Sequence, residues 1–179
     1  MEFFAEYEVS ISEIADLFKA TFTASEGSKE GELIGGLAHR LMEEAPQEDL
    51  RVFTAWNNGE LDSAIIFSRL TFEGDKRAVF VLCPVAVATK RQGQNIGQRL
   101  IAHGLTVLRQ QGVDFAATYG DPRYYKRVGF TAITEKDAPA PFPLQHPEGW
   151  LGQFLNNSPK MPFRGPSRCV PVFDDPTLW

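Results

Sequence analysis

The sequence predicts an α+β (α/β) fold: a mixed, mostly antiparallel central sheet, flanked by helices and containing one parallel strand pair. Three observations carry that prediction. Two helix-periodic segments come first, three strand-like runs then follow one another through tight polar turns, and a strand, an amphipathic helix and another strand succeed each other up to Tyr119. A chain of 179 residues is long enough to bury a sizeable core as one domain or one domain with an appendage.

Glu6 to Val9 reads as a short strand. Ser10 with Glu13 three residues later gives a capping-box signature ahead of Ile11, Ile14, Ala15, Leu17 and Phe18, so a first helix is expected there. Ala24-Ser25-Glu26-Gly27-Ser28-Lys29 reads as a polar loop. Leu33, Ile34, Leu37, Leu41 and Met42 then recur at helical spacing until Pro46 stops the segment.

Arg51 to Trp56 and Leu61 to Phe72 are strand-like runs joined by Asn57-Asn58-Gly59-Glu60, whose Asn-Gly pair supplies the positive φ values of a tight hairpin. Glu73-Gly74-Asp75-Lys76 links that strand to Ala78 to Val87. This last run is nearly all apolar, as befits a strand covered on both faces, and Pro84 must sit at a bulge or where pairing ends. Ile96, Leu100, Ile101, Leu105 and Leu108 mark the core face of a helix ending near Gly112. Asp114 to Tyr119 follows as a strand parallel to its predecessor.

Asp121-Pro122 reads as an N-cap followed by proline at the first helical position, opening a short helix that closes at Gly129 before a strand near Thr131. From Ala138 to Pro147 the chain is rich in proline and extended. Trp150 to Leu155 and Arg168 to Phe173 are two further strand candidates.

Composition excludes several function classes. A formal net charge of −5 argues against a nucleic-acid partner, which draws on a positive surface field. Cys83 and Cys169 form neither a metal-ligand spacing nor a disulfide framework, and His39, His103 and His146 share no spacing with them, so no metal site is expected. The start Met1-Glu2-Phe3-Phe4-Ala5-Glu6 lacks the basic region and apolar run of a signal peptide, and no segment is long enough to span a bilayer. A cytoplasmic location is the expectation.

The chemistry concentrates between Leu82 and Phe130. Arg91-Gln92-Gly93-Gln94-Asn95-Ile96-Gly97 is a glycine- and amide-rich loop between a strand and a helix, where unpaired backbone N–H groups and the helix dipole together make an anion cradle. It lacks the Gly-Lys-Ser/Thr ending that a nucleotide-binding phosphotransferase would use on phosphate and magnesium. Tyr124-Tyr125-Lys126-Arg127-Val128-Gly129-Phe130 follows on the short helix. Asp121 reads as a cap rather than a base.

The stretch from about Leu82 to Phe130 resembles the core of the GNAT superfamily of N-acetyltransferases. That family's signature [Q/R]-x-x-G-x-[G/A] binds the pyrophosphate of acetyl-coenzyme A, and it falls here on Gln92 to Gly97, with Asn95 where a glycine is expected. Asparagine tolerates the left-handed backbone, so the loop keeps its shape. The family's Tyr-x-x-x-Gly-Phe element matches Tyr125 to Phe130. Gly120-Asp121-Pro122 and, more loosely, the segment after Pro139 resemble a bacterial branch of small uncharacterised acetyltransferases.

The resemblance implies a GNAT-like fold whose parallel strands splay apart at a cofactor cleft. It implies acetyl transfer from acetyl-coenzyme A, as co-substrate, to a primary amine. The cofactor-binding residues are then Val85, Ala86, Val87, Arg91, Gln92, Gly93, Gln94, Asn95, Ile96 and Gly97, with backbone N–H groups of Val85 to Val87 as oxyanion donors. Tyr125 is the catalytic acid that protonates the leaving thiolate; packing is its alternative role. The glutamate that many relatives place on the central strand is missing from Val79 to Val87, leaving the general base unassigned.

Residues 1–137 are expected to form the acetyltransferase domain, with 138–179 as a proline- and aromatic-rich appendage packed on it. Phe142, Trp150, Phe154, Phe163 and Trp179 either wall the acceptor site or pack the appendage onto the core. Exposed aromatics there would also suit a homodimer. A non-catalytic sensor of acyl-coenzyme A is the rival function, separated from the enzyme by binding without turnover.

Overall fold

A computed structural model of the chain describes residues 1–8, 10–157 and 160–179. The chain divides into two compact units: Met1–Phe67 with Cys83–Gly104, and Ser68–Leu82 with Leu105–Trp179.

The first unit begins with β1 (Glu2–Phe4), antiparallel to β2 (Leu50–Asn57) with Glu2 opposite Trp56. The strand expected at Glu6 to Val9 is absent over Glu6–Glu8, and Val9 lies outside the described residues. Tyr7 is instead buried in a turn, where its carbonyl accepts from the Ser10 N–H at 2.9 Å. Helix α1 (Ile11–Glu26) starts at Ser10 as expected, but the Ser10 side chain makes no cap hydrogen bond and the capping box does not form.

Helix α2 (Ser28–Glu44) follows at once. The polar loop read at Ala24 to Lys29 shrinks to Gly27, whose φ of 97° turns the chain between two helices. The reason is tertiary. Gly31 and Gly35 of α2 let its backbone settle against α1, where a Cβ at Gly31 would overlap the Thr23 side chain and one at Gly35 would lie 2.7 Å from the Lys19 Cβ.

Strands β2 and β3 (Glu60–Phe72) are joined by the expected turn, with φ of 51° at Asn58 and 77° at Gly59. Phe53 and Phe67 meet edge to face at 6.1 Å, and a Cβ on Gly104 would touch both rings. His103 is a ring-packed histidine, 5.1 Å from Phe3 and 5.8 Å from Phe53.

Strand β4 (Asp75–Val87) contributes residues to both units, as does α3 (Ile96–Gln110). In the second unit β4 pairs in parallel with β5 (Phe115–Tyr119), from Val79 opposite Phe115 to Leu82 opposite Thr118. Strand β5 pairs antiparallel with β7 (Trp150–Phe154), which also carries β6 (Thr131–Ala132). Strand β8 (Ser167–Cys169) pairs with the end of β3. It is shorter than the Arg168 to Phe173 run because Pro171, without an N–H, opens a 3-10 turn instead. The architecture is the predicted one: mostly antiparallel strands, one parallel pair and helices against the sheet.

The aromatic residues after Pro139 serve mainly as core. Trp150 is fully buried and donates its indole N–H to the Ala138 carbonyl at 2.8 Å. Trp179 is buried against Trp150 and Phe173 and donates to the Phe173 carbonyl at 3.1 Å. Phe163 stacks on Phe72 at 4.6 Å and touches Phe115 at 5.1 Å, and burial of such a ring contributes roughly 2 kcal/mol.

Arg77 locks this segment in place. Its guanidinium lies 3.8 Å over the Phe163 ring and donates to the carbonyls of Met161 and Pro162 at 2.9 and 3.2 Å, while Asp75 accepts from Nη2 at 2.6 Å. That Arg77 hydrogen bond holds the Asp75 carboxyl below the usual aspartate range. A depressed folded-state value adds stability that is full above the unfolded value and disappears as pH falls through the folded one. Asp75→Asn is therefore expected to cost about 1–3 kcal/mol in urea unfolding at pH 7 and progressively less as the solution is acidified below about pH 4. An equal cost at every pH would show that the carboxylate charge contributes nothing.

Candidate active site

The parallel ladder stops just ahead of Pro84, within β4. Its final pair is Leu82 with Thr118, and the buried Thr118 hydroxyl donates to the Leu82 carbonyl at 2.9 Å. The next residues are Cys83 and Pro84, joined by a cis peptide bond. This matches the expectation that Pro84 sits where pairing ends.

In the first unit, β4 continues through Val85, Ala86 and Val87. Ala86 is buried, while Val85 and Val87 are half-buried. The Ala86 carbonyl accepts from the buried Ser63 hydroxyl at 2.7 Å. The Val87 carbonyl accepts from the Gln92 side-chain amide at 3.2 Å and from the Thr21 hydroxyl at 3.4 Å. Three elements, α1, β3 and the loop, thus fix the end of this strand.

A 3-10 turn at Thr89–Arg91 leads into the loop, with the Arg91 N–H donating to the Ala88 carbonyl at 2.7 Å. Gln92, Gly93, Gln94 and Asn95 are exposed, whereas Ile96 and Gly97 are buried in the first turn of α3. Gly93 has φ of 77° and Asn95 has φ of 60°. Glycine adopts this region freely and asparagine is among the few other residues that do so readily, so the two positions suit the backbone they hold. Asparagine stands here in the conformation its tolerance of the left-handed region allows.

Arg91 does not simply reach into solvent. Its Nε donates to Asp62 Oδ1 at 3.0 Å, and its side chain is 29% exposed. Neighbouring Lys90 pairs with Glu60 at 2.7 Å on the surface. Sequence reasoning missed Asp62 and Ser63. Their signal was an acidic and a hydroxyl residue directly ahead of the apolar run Ala64-Ile65-Ile66-Phe67.

Tyr125 belongs to the second unit, at the end of α4 (Pro122–Tyr125). Asp121 caps this helix as expected, accepting from the Arg123 N–H at 2.9 Å, and its carboxyl is held low by the Arg123 side chain. The Tyr125 ring is buried, perpendicular to Tyr124 at 5.1 Å and against Phe130 at 5.8 Å. Gly120 makes room for it: a Cβ there would lie 2.8 Å from the ring carbon Cε2. Gly129, with φ of 94°, ends the short helix in the left-handed conformation.

Among the described residues no cluster of His, Cys, Asp or Glu is placed to hold a metal ion, and no helix is long and apolar enough to cross a membrane.

Comparison with known proteins agrees with this geometry. Residues 7–133 match the acetyltransferase (GNAT) domain family. YjhQ of Escherichia coli K12, described as an uncharacterised N-acetyltransferase, is 32% identical over 164 residues, which span 89% of this chain and 88% of that protein. The crystal structure of the E. coli GNAT family N-acetyltransferase YhbS in complex with CoA matches with a TM-score of 0.81 at 21% identity, covering 97% of this chain and 92% of that one. A GNAT family acetyltransferase from Brucella melitensis in complex with acetyl-CoA matches with a TM-score of 0.73 at 24% identity, covering 97% of each chain. With the domain family and the likeness to YjhQ both spanning most of its length, the chain belongs to the GNAT family of acetyltransferases.

Proposed function

We propose that this protein transfers the acetyl group of acetyl-coenzyme A directly to a primary amine. The observation that carries the reading is the exposed loop with left-handed Gly93 and Asn95, set between the fixed end of β4 and the 15-residue helix α3. The CoA and acetyl-CoA complexes of the two structural relatives support it.

In this reading the backbone of Gln92, Gly93, Gln94, Asn95, Ile96 and Gly97 receives the pyrophosphate, with Arg91 at its rim. Backbone N–H groups of Val85, Ala86 and Val87 stabilise the oxyanion that forms on the thioester carbonyl. The amine must first lose a proton, since its pKa near ~10 keeps it protonated at neutral pH. No acidic side chain lies on Val79–Val87, so that proton leaves through water or a group outside this strand. The nitrogen lone pair forms the new C–N bond, the C–S bond breaks, and Tyr125 protonates the departing thiolate. Residues 138–179 are proposed to belong to the same catalytic domain, supported by the β5–β7 pairing and the Phe163 stack on Phe72.

Calorimetry with acetyl-coenzyme A, followed by a panel of amines with free thiol monitored, tests the reading. Burial pushes the Cys83 thiol up to about 12 and the Cys169 thiol to about 11, so released coenzyme A supplies the reactive thiol at neutral pH. Binding with thiol release is expected. Binding without release under every amine would favour the sensor, and no binding would overturn both readings.

Tyr125→Phe is expected to lower kcat by about 100-fold or more while leaving the affinity for acetyl-coenzyme A nearly unchanged. An unchanged rate would return Tyr125 to a packing role. Gly120→Ala pushes on the Tyr125 ring and is expected to reduce kcat while costing about 1–3 kcal/mol of stability in chemical unfolding. Retention of both would show that the ring is free to move aside. Asn95→Asp keeps a residue able to adopt the left-handed backbone but adds a negative charge, so coenzyme A affinity should fall several-fold, most strongly at low salt. Wild-type affinity would remove the pyrophosphate from this loop.

A further inference from the structure

Asp62 is the acidic residue among the buried polar side chains of the described residues, with 0% relative exposure. One carboxylate oxygen, Oδ1, accepts from Arg91 Nε at 3.0 Å, and the other, Oδ2, has no hydrogen-bond partner. Withdrawing a carboxylate from water is expensive, and an ion pair in such a place adds little that a well-packed apolar pair would not. Stability therefore gives no reason for the pair.

The position of Arg91 supplies one. Its backbone directly precedes Gln92 and the loop, and the same Asp62 holds that backbone as well. The Asp62 carbonyl accepts from the Ala88 N–H at 2.9 Å, and the Ala88 carbonyl accepts from the Arg91 N–H at 2.7 Å. Asp62 thus grips both ends of the 88–91 segment, one through its main chain and the other through its carboxylate. Gripping the guanidinium at Nε leaves its two Nη groups without a protein hydrogen bond among the described residues, on a side chain that is 29% exposed. A guanidinium fork matches phosphate oxygens two at a time, and fixing it beforehand removes the rotamer entropy that binding would otherwise cost.

We propose that Asp62 is a positioning residue for the acyl donor: it holds Arg91 so that the Nη edge is presented to a phosphate of coenzyme A. The proposal rests on the acyl-coenzyme A reading of the loop and assigns the buried acid a role through Arg91 rather than in the chemistry.

The test compares coenzyme A with pantetheine, which keeps the thiol arm and lacks every phosphate, by calorimetry and ligand-observed NMR on wild type, Asp62→Asn, Arg91→Gln and the double variant. Asp62→Asn is expected to weaken coenzyme A roughly tenfold, as a lost charge-assisted contact does. Arg91→Gln should weaken it at least as much, the double variant no more than Arg91→Gln alone, and pantetheine should be unmoved in all three. A merely structural Asp62 would leave coenzyme A affinity at the wild-type value, or weaken both ligands in parallel, and either result overturns the proposal. So does additivity of the two substitutions. Should Asp62→Asn fail to fold, Arg91→Lys decides: it retains the positive charge opposite Asp62 without the fork, and wild-type affinity there overturns the proposal. Failure of wild type to bind coenzyme A is a separate result that removes the acyl-donor reading itself.

Discussion

The parallel ladder between β4 and β5 ends at Leu82 and Thr118, directly before the Cys83–Pro84 bond, while β4 itself runs on to Val87. Up to this pair β4 is an ordinary buried strand. Beyond it come a proline with no N–H to give and then Val85, Ala86 and Val87, which stay in the strand beside β3, lose the register with β5, and take on further support. Side chains provide it: the Thr118 hydroxyl closes the ladder on the Leu82 carbonyl, Ser63 bonds the Ala86 carbonyl, and Thr21 and Gln92 share the Val87 carbonyl. Each of these bonds gives a hydroxyl or amide donor a strand carbonyl as its acceptor, so the side chains are satisfied where they pack against β4.

That support extends into the loop. Glycine takes the left-handed region at little cost and asparagine tolerates it, and the flanks of the loop that carries them are anchored. Ala88 is tied to the start of β3, Gln92 returns to Val87, and Ile96 is buried under the first turn of α3. The exposed stretch from Gln92 to Asn95 is therefore short and held at both ends.

The segment after Pro139 shows how a run rich in proline can still be held firmly. Its strands β7 and β8 pair with β5 and the end of β3, and outside them its order comes from large rings buried against those strands. Arg77 adds three kinds of contact at once, to Asp75, to two carbonyls and to the Phe163 face, which explains why a charged residue is tolerated there.

The sequence by itself determined the order of elements, the Asn58-Gly59 hairpin, the termination of pairing near Pro84, the cap at Asp121 and the left-handed tolerance of Asn95. Each of these is a local property, fixed by a residue's own backbone freedom or by apolar spacing over a few neighbours. It misplaced the first strand, opened a loop where α1 and α2 meet at Gly27, and drew β8 too long. Those outcomes depend on what packs against the segment. It also passed over Asp62, because an acid on an apolar strand becomes meaningful only when Arg91, 29 residues away in sequence, is seen to meet it at 3.0 Å. Only the tertiary structure decided which polar groups pair in the interior, since burial and partner choice are set by distant parts of the chain.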